Sequence, residues 1–422
     1  MKLRKFMAAF LLMSSTGLMA ADTNTDSDKA NDPMEAFTKG SYDAKLRLSY
    51  EYADADNGVD HADSLTLGTY LGFRTAELGG VSLYIQGQST ERIVSDYDDT
   101  MGLNTGDNDV VADADGHRVQ QAYLDFTKLL PDTTIRFGRQ EMTLDDVRFI
   151  GDIVWRQRKQ SFDGISLVNK SMQDTALTLA VYNKVNTIFN TSVDFDHIGL
   201  INAKYTGIKD HAVTGFLYLV DADEDQTDRK GGDNEDSVTY GFRLDGKFDQ
   251  FAYDFSVAQQ SDYANTEGRD AQFVHAFGSY KVGEWTPGAG YMYLSNAGND
   301  GKGFDTLFST AHKYNGWSDQ FLGSNGGNLV DGLQDYYVSL AGKIKENKVI
   351  LTAHYFDTVN RSEEYGYEFN GQIVRKLTDR LTTSLTAAYY DGNEDGTKSQ
   401  DETVVWFRLD YAIGGKIADI GK

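Results

Sequence analysis

From Tyr42 to Tyr52 the chain alternates without a break. Tyr42, Ala44, Leu46, Leu48, Tyr50 and Tyr52 occupy one face, and Asp43, Lys45, Arg47, Ser49 and Glu51 the other. That is the two-residue period of an extended strand with one apolar face. The pattern returns over Ser64 to Arg74, where Leu65, Leu67, Leu71 and Phe73 oppose Ser64, Thr66, Tyr70 and Arg74. It returns again over Val238 to Phe248 and over Thr403 to Ile413. Strands are expected near residues 42–53, 64–74, 81–92, 118–127, 133–139, 162–169, 175–185, 197–206, 212–220, 237–247, 250–261, 271–280, 285–295, 333–343, 347–357, 364–374, 380–390 and 402–413. Alternation is weak at 212–220 and 271–280.

Alternation alone does not separate a soluble sandwich from a membrane barrel, but the connections do. Long ones, at 54–63, 93–117, 140–161, 186–196, 221–236, 262–270, 296–332, 358–363 and 391–401, take turns with short ones such as 75–80, 128–132, 207–211, 248–249, 281–284, 344–346 and 375–379. A sandwich has no reason to keep that parity. A barrel does, because all its hairpins share one tight end and one open end. Many segments run to roughly ten residues, the length a tilted strand needs to cross a bilayer. The expectation is an all-β fold: a transmembrane antiparallel β-barrel of about eighteen strands over 42–413, with short periplasmic turns and long extracellular loops.

Composition agrees. There are 42 Gly, 25 Tyr and 23 Phe but 3 Pro, favouring strands, and no Cys, so stability must come from elsewhere than disulfides. No stretch beyond the start approaches the roughly 18 apolar residues of a membrane helix. A closed ring of strands pairs every backbone group and leaves no edge. Tyr50, Tyr52, Phe73, Tyr123, Phe126, Tyr389 and Tyr390, near strand ends, are expected to form interfacial girdles.

The first residues differ from the rest. Lys2, Arg4 and Lys5 precede the apolar run Phe6 to Met13 and the small residues of Ser14 to Ala20, which reads as a cleavable secretory signal over 1–21. A periplasmic segment, 22–41, then leads into the barrel, and 414–422 forms a C-terminal tail. The expected location is the cell outer membrane, in contact with its lipid, after insertion by the barrel-assembly machinery.

The net charge of −24 is unevenly placed. Connector 93–117 holds Asp96, Asp98, Asp99, Asp107, Asp109, Asp113 and Asp115 with neither Lys nor Arg, and 221–236 is similarly acidic. The polar phase of the strands instead carries Lys45, Arg47, Arg74, Arg92, Arg118, Arg136, Lys204, Arg243, Lys247 and Arg408. These side chains should face the lumen. Some should pair with Asp43, Glu51, Asp125, Asp245 and Asp410. The remainder would make a basic conduit, which attracts anions, and arginine forks hold carboxylates through two hydrogen bonds at once.

The densest basic run is Gly138-Arg139-Gln140, Asp145-Asp146-Val147-Arg148-Phe149-Ile150-Gly151, then Trp155-Arg156-Gln157-Arg158-Lys159-Gln160-Ser161-Phe162-Asp163-Gly164. It leaves one strand and enters the next at Phe162, and its Arg, Gln and Trp content suits a segment folded into the pore mouth. The run resembles the alginate export family of outer-membrane porins, whose Gly-Arg-Gln, Arg-x-Ile-Gly, Trp-Arg-Gln and Gln-x-Phe-Asp pattern it follows. His312-Lys313-Tyr314-Asn315-Gly316-Trp317-Ser318-Asp319-Gln320-Phe321 is similar to the family's His-Lys-aromatic segment in its long late loop. The resemblance spans essentially the whole chain after residue 21. It implies an eighteen-stranded barrel with an electropositive lumen that passes a polyuronate, with Arg139, Arg148 and Arg156 at the matching positions. Conduit roles for Arg47, Arg74, Arg136, Arg243 and Arg408 rest on strand phase. Uronate oligomers, other sugar acids and aromatic acids all fit the chemistry.

No histidine pair at metal spacing, nucleophile elbow or phosphate loop is present, so neither catalysis nor nucleic-acid binding is expected, and no cofactor is required. Asp391, Asn393, Asp395, Gly396 and Glu402 match the spacing of a calcium loop, although strands rather than helices flank it and Lys398 replaces the usual apolar residue, so an acidic hairpin with turn glycines is the preferred reading. The rival function is a surface adhesin or structural barrel with acidic, calcium-binding loops and a plugged lumen.

Overall fold

The structure is a computed structural model that describes residues 29–222, 236–264, 268–296, 303–322, 329, 331–360, 363–394 and 396–419. The signal reading at 1–21, most of the acidic connector 221–236, Asp395 and the last three residues lie outside the described residues. Lys29–Ala30 pairs with Glu77–Leu78 of the first short turn, and helix α1, Pro33–Thr38, follows. Asp32 caps α1 by accepting from Glu35 N at 2.8 Å, and Pro33 opens it.

Eighteen long strands then form one ring: β1 Ser41–Ala55, β2 Ala62–Arg74, β3 Val81–Asp96, β4 Gly116–Phe126, β5 Thr133–Gln140, β6 Ser161–Asn169, β7 Thr175–Asn186, β8 Ser192–Tyr205 and β9 His211–Ala222 make the first half. The second half is β10 Ser237–Phe248, β11 Phe251–Ser261, β12 Asp270–Tyr280, β13 Trp285–Leu294, β14 Leu333–Ile344, β15 Asn347–Asp357, β16 Glu364–Lys376, β17 Leu381–Gly392 and β18 Glu402–Lys416. Every neighbour pair is antiparallel, and β1 closes on β18 from Ser41↔Lys416 to Ala55↔Glu402. The last strand runs three residues past the expected end at Ile413.

Leu46, Leu71, Phe137, Ile165, Phe242, Val338, Phe369 and Phe407 stand on the outer face, exposed as a lipid-facing band must be. Lys45, Arg47, Ser49 and Glu51 point inward and are buried, so the phase read for β1 holds. Two girdle expectations fail. Tyr123 and Tyr390 are buried and face inward. Tyr389 is exposed, and adjacent strand residues take opposite faces, so Tyr390 could not share its girdle. Tyr291, Tyr336, Tyr355 and Tyr367 instead form a ring-to-ring ladder across β13 to β16, at centroid spacings of 4.9, 6.1 and 5.1 Å.

Strand β8 begins at Ser192, five residues before its expected start, because register shifts on both sides of 194–198 break the alternation there. The inner faces of β6 to β9 and β11 to β15 contribute to one apolar core: Phe162, Tyr182, Ile198, Leu200, Phe216, Tyr218, Phe273, Met292, Leu294 and Phe356 pack with loop residues Phe149, Ile150, Phe304, Leu307 and Phe308. Of the buried inward residues of β9 and β12, Ala212, Phe216, Tyr218, Val220, Ala271 and Phe273 are apolar against Thr214, His275 and Ser279, so the polar phase is thin and the alternation weak.

Placing a charge on the outer band tests the orientation. Phe407 lies between Leu385 and Tyr50 on the lipid face. Phe407→Arg should lower unfolding stability in vesicles by about 2–4 kcal/mol, and Phe407→Leu by much less. A urea titration that finds the two variants equally stable would place Phe407 away from lipid.

Candidate functional site

The connector between β5 and β6, residues 141–160, does not project from the rim; it turns into the barrel. Its carbonyls would be left without partners inside a lumen unless the wall supplied donors. Arg47 Nη1 donates to Val154 O at 2.9 Å and to Arg156 O at 3.1 Å. Tyr70 OH and Gln88 Nε2 both donate to Gln157 O, the latter at 2.6 Å. Arg118 and Gln120 donate to Lys159 O. Gln157 Nε2 reaches Thr66 Oγ1 at 3.0 Å, and its own N–H donates to Asp113 Oδ1 at 2.8 Å. Gly68 permits the approach, since a Cβ there would overlap the Gln157 side-chain oxygen.

The described part of the late loop, 303–322, locks onto the first. Phe308 N donates to Phe149 O and Gly151 N to Phe308 O, each at 2.9 Å, with Thr310 N to Val147 O at 3.1 Å. Lys313 Nζ and Tyr314 OH both donate to Asp146 O. Glu368 on β16 fastens the far end, accepting from Trp317 N and from Ser318 N and Oγ. His312 stacks on Trp155 at 3.8 Å, and Trp406 meets both rings edge-on.

Most predicted conduit arginines are ion-paired. Arg47 and Lys45 share Asp410, at 2.9 and 3.0 Å. Arg74 and Arg136 share Asp125, with Arg136 lying 3.8 Å over the Tyr123 ring. Arg156 bridges Glu51 at 2.9 Å and Asp319 at 3.2 Å. Arg243 contacts Asp245, Asp254 and Asp146. Arg139 makes a two-pronged bond to Asp163 at 2.8 and 2.9 Å, but it shares its strand face with Phe137, which is 60 % exposed. Its position is therefore the outer rim and not the lumen.

Arg148 and Arg408 have no carboxylate in contact among the described residues. Arg148 Nη2 donates to Asn315 Oδ1 at 3.0 Å, and its guanidinium lies over Tyr314. Burial pushes it down to about 10. Arg408 Nε donates to Ser49 Oγ at 3.1 Å, and its guanidinium lies 4.0 Å over Trp155. Arg118 and Arg158 share this condition and were absent from the predicted conduit set. Arg118 bonds Gln120, Thr187 O and Lys159 O, while Arg158 donates to Ala114 O at 2.6 Å. Arg118 was readable as lumen-facing. Nothing local distinguishes Arg158 from Arg156, whose acidic partners come from β1 and the late loop. Lys159 is different again: burial opposes its charge, but Glu141 and Asp152 outweigh it and hold its pKa up.

Asp146, Asp254 and His275 bring ligand atoms within 4.8 Å of one another, a grouping the histidine spacing did not reveal. Arg243 lies on both aspartates, so the cluster is a satisfied ion network. In the acidic hairpin, Glu402 accepts from Gln320 Nε2 of the late loop, and Asp391 is exposed on β17.

A closed eighteen-stranded barrel with an outward apolar band and loops folded into its lumen defines an outer-membrane channel. The sequence model for alginate export matches residues 42–391, and the chain belongs to the alginate export family of outer-membrane porins. Its class is a transport barrel. No curated protein matches it. Among solved structures, OccK11 (OpdR) of Pseudomonas aeruginosa superposes with a TM-score of 0.65 at 13% identity, covering 90% of this chain and 98% of its own. OpdK of the same organism, solved with vanillate, gives 0.67 at 13%, covering 89% and 99%. OccAB4 of Acinetobacter baumannii gives 0.64 at 14%, covering 91% and 100%. At these identities the likeness establishes the fold.

Two consequences can be measured. Arg47→Ala frees the carbonyls of Val154 and Arg156 and breaks a buried pair, a loss of about 3–5 kcal/mol. Single-channel conductance should rise as 153–158 loosens; wild-type conductance with wild-type protease resistance of the loop would refute the anchoring role. The second concerns His312. Burial lowers its pKa, its Nε2 having no partner and Arg156 and Arg408 facing it, while the 2.7 Å bond to Asp319 acts in the other direction. A folded pKa below the unfolded value near 6.5 means the docked loop resists protonation, so its stability is complete above that pH and declines below it. Asp319 is held below the usual carboxylate range and loses its contribution only at lower pH. Between about pH 7 and 5, protease access to 303–322 should increase, and His312→Asn should remove most of that dependence.

Proposed function

We propose that the protein is a passive channel for carboxylate-bearing solutes, uronates and other sugar acids or aromatic acids, which cross at the constriction formed by 141–160. One observation carries this reading. Arg118, Arg148, Arg158 and Arg408 gather on the infolded loop and the wall it lies against, with no carboxylate in contact among the described residues. Buried guanidiniums left in this state favour an anion that passes within reach.

Neighbouring pairs supply the rest of the path. Arg47 shares Asp410 with Lys45, and Arg74 and Arg136 share Asp125, which leaves the latter set an excess positive charge. Arg74 and Arg136, whose side chains remain 30% and 26% exposed, are the most accessible of these. A unit charge pair at 4 Å gains about 4 kcal/mol at an effective dielectric of 20. The resident aspartates compete for the same forks, which keeps a solute from being held too tightly to leave, as conduction requires. The membership in a family named for alginate export, an anionic polysaccharide, and the vanillate in OpdK support a carboxylate cargo. The reading includes delivery by the leader at 1–21 and insertion by the barrel-assembly machinery.

The test is the reversal potential of the purified protein in a planar bilayer across a KCl gradient. Chloride preference is expected, oligogalacturonate should reduce the current, and replacing Arg148, Arg158 and Arg408 together with Gln should weaken the preference. Cation preference in the wild type would overturn the reading. So would zero conductance restored by deleting 296–332, which is the outcome a plugged adhesin barrel gives.

A further inference from the structure

We propose that the extracellular mouth carries a binding site for a carboxylate borne on a six-membered ring, between the loops 97–115 and 187–191 and against Arg158. This rests on the carboxylate-channel reading and adds where the solute is first held and what shape it has.

The argument begins with an unsatisfied guanidinium. Arg158 is 1% exposed, and its Nη1 donates to Ala114 O at 2.6 Å, but Nε and Nη2 have no acceptor. Nη2 faces Asn190 Nδ2 across Gly116. A Cβ on Gly116 would lie 3.4 Å from Nη2 and 3.0 Å from Nδ2, so the two donors flank one small notch. Two facing donors cannot bond each other, and a buried donor left unpaired costs about 1–3 kcal/mol. A group with two acceptor oxygens side by side satisfies both at once, and a carboxylate is that group. Gly116 keeps the notch open through a φ of +115°, a backbone that side-chain-bearing residues rarely adopt.

The residues around the notch describe what the carboxylate is attached to. Ala114, Asp115 and Asn190 also line a cavity of about 410 Å³, together with Arg92, Asp99, Met101, Gly102, Leu103 and Phe189. That volume falls in the range of about 300–1,000 Å³ typical of small-molecule sites. Met101, Leu103 and Phe189 in the lining, with the donors of Asn190 beside them, suit a ring with a face to pack and an acid group to anchor, either an aromatic acid or a pyranose uronate. The acids in this cavity do not oppose an anion at full strength. Asp99 and Asp115 are both paired with Arg92. Arg118 stands beside the site, bonded to the carbonyl of Lys159, the residue after Arg158. A solute bound here is therefore one residue from the loop segment that narrows the pore.

Calorimetry on the full-length barrel in detergent, with benzoate and galacturonate as probes, tests the site. Benzamide and galactose serve as uncharged counterparts, and acetate as the ringless acid. At least one ring acid should bind saturably and about tenfold more tightly than its uncharged counterpart and than acetate, a difference of about 1.4 kcal/mol. Binding of benzoate alone assigns aromatic acids, galacturonate alone sugar acids, and both the shared ring-acid chemistry. Arg158→Gln should weaken binding about tenfold. Asn190→Gly, at an exposed position whose positive φ glycine accepts, should weaken it several-fold without disturbing the fold. Equal affinity for the uncharged probes or for acetate, or wild-type affinity in both variants, would overturn the site. A channel that prefers chloride yet binds no ring acid overturns the mouth site alone, whereas a cation-preferring channel overturns the carboxylate reading itself.

Discussion

Everything in this molecule follows from the pairing of β1 with β18. In lipid no backbone group can turn to water, so a sheet of this size survives only as a closed ring. The fifteen register pairs from Ser41↔Lys416 to Ala55↔Glu402 supply that closure. Once the ring is shut, each strand must send alternate residues to lipid and to the lumen. The same pairing brings Arg47 against Asp410 and Ser49 against Arg408, placing residues from opposite ends of the chain side by side where the pore loop docks.

The lumen is divided unequally. Along β6 to β9 and β11 to β15 it holds an apolar core in which Phe149, Ile150, Phe304 and Phe308 of two loops pack, beside buried polar groups such as His275, Asp335 and His354. Along β1 to β5 and β18 it is polar, and the loop backbone is held there by side chains that donate to its carbonyls. One half gives the constriction rigidity, because packed aromatic contacts do not yield gradually. The other half gives it chemistry. A loop docked only by apolar contacts would leave its carbonyls unpaired, and one docked only by hydrogen bonds would exchange them readily for water.

The sequence showed the ring far better than the site. All eighteen strands were legible because lipid and lumen together enforce a period of two, and the signal faded at 212–220 and 271–280 where most inner residues are apolar as well. The start of β8 was missed because bulges around 194–198 break the phase. The pore loop was legible as a basic run too rich in Arg, Gln and Trp for a strand. Which of its arginines stay unpaired was not, because the deciding acids lie far away in sequence: Glu51 is 105 residues from Arg156, and Asp410 is 363 from Arg47. Gly138 to Gln140 drew Arg139 into the pore set, although its place beside Phe137 in the strand's period already pointed it outward.

Net charge was the least informative quantity of all. A chain of −24 can still present a cationic constriction, because counterions and water screen its outer acids within about 8 Å at physiological salt, while buried charges are screened far less. Paired cations such as Arg156 and Arg243 offer little to a passing anion: withdrawing their carboxylates would cost more than the solute returns. On the proposed function, selectivity comes from the few guanidiniums left without acids among the described residues, and Arg158, buried behind Ala114 of the mouth cavity, is one of them. An anion that satisfies those donors at the mouth already stands against the loop that governs its passage. On that proposal capture and conduction share a residue, and they would change together under any substitution that supplies Arg158 with an internal acid.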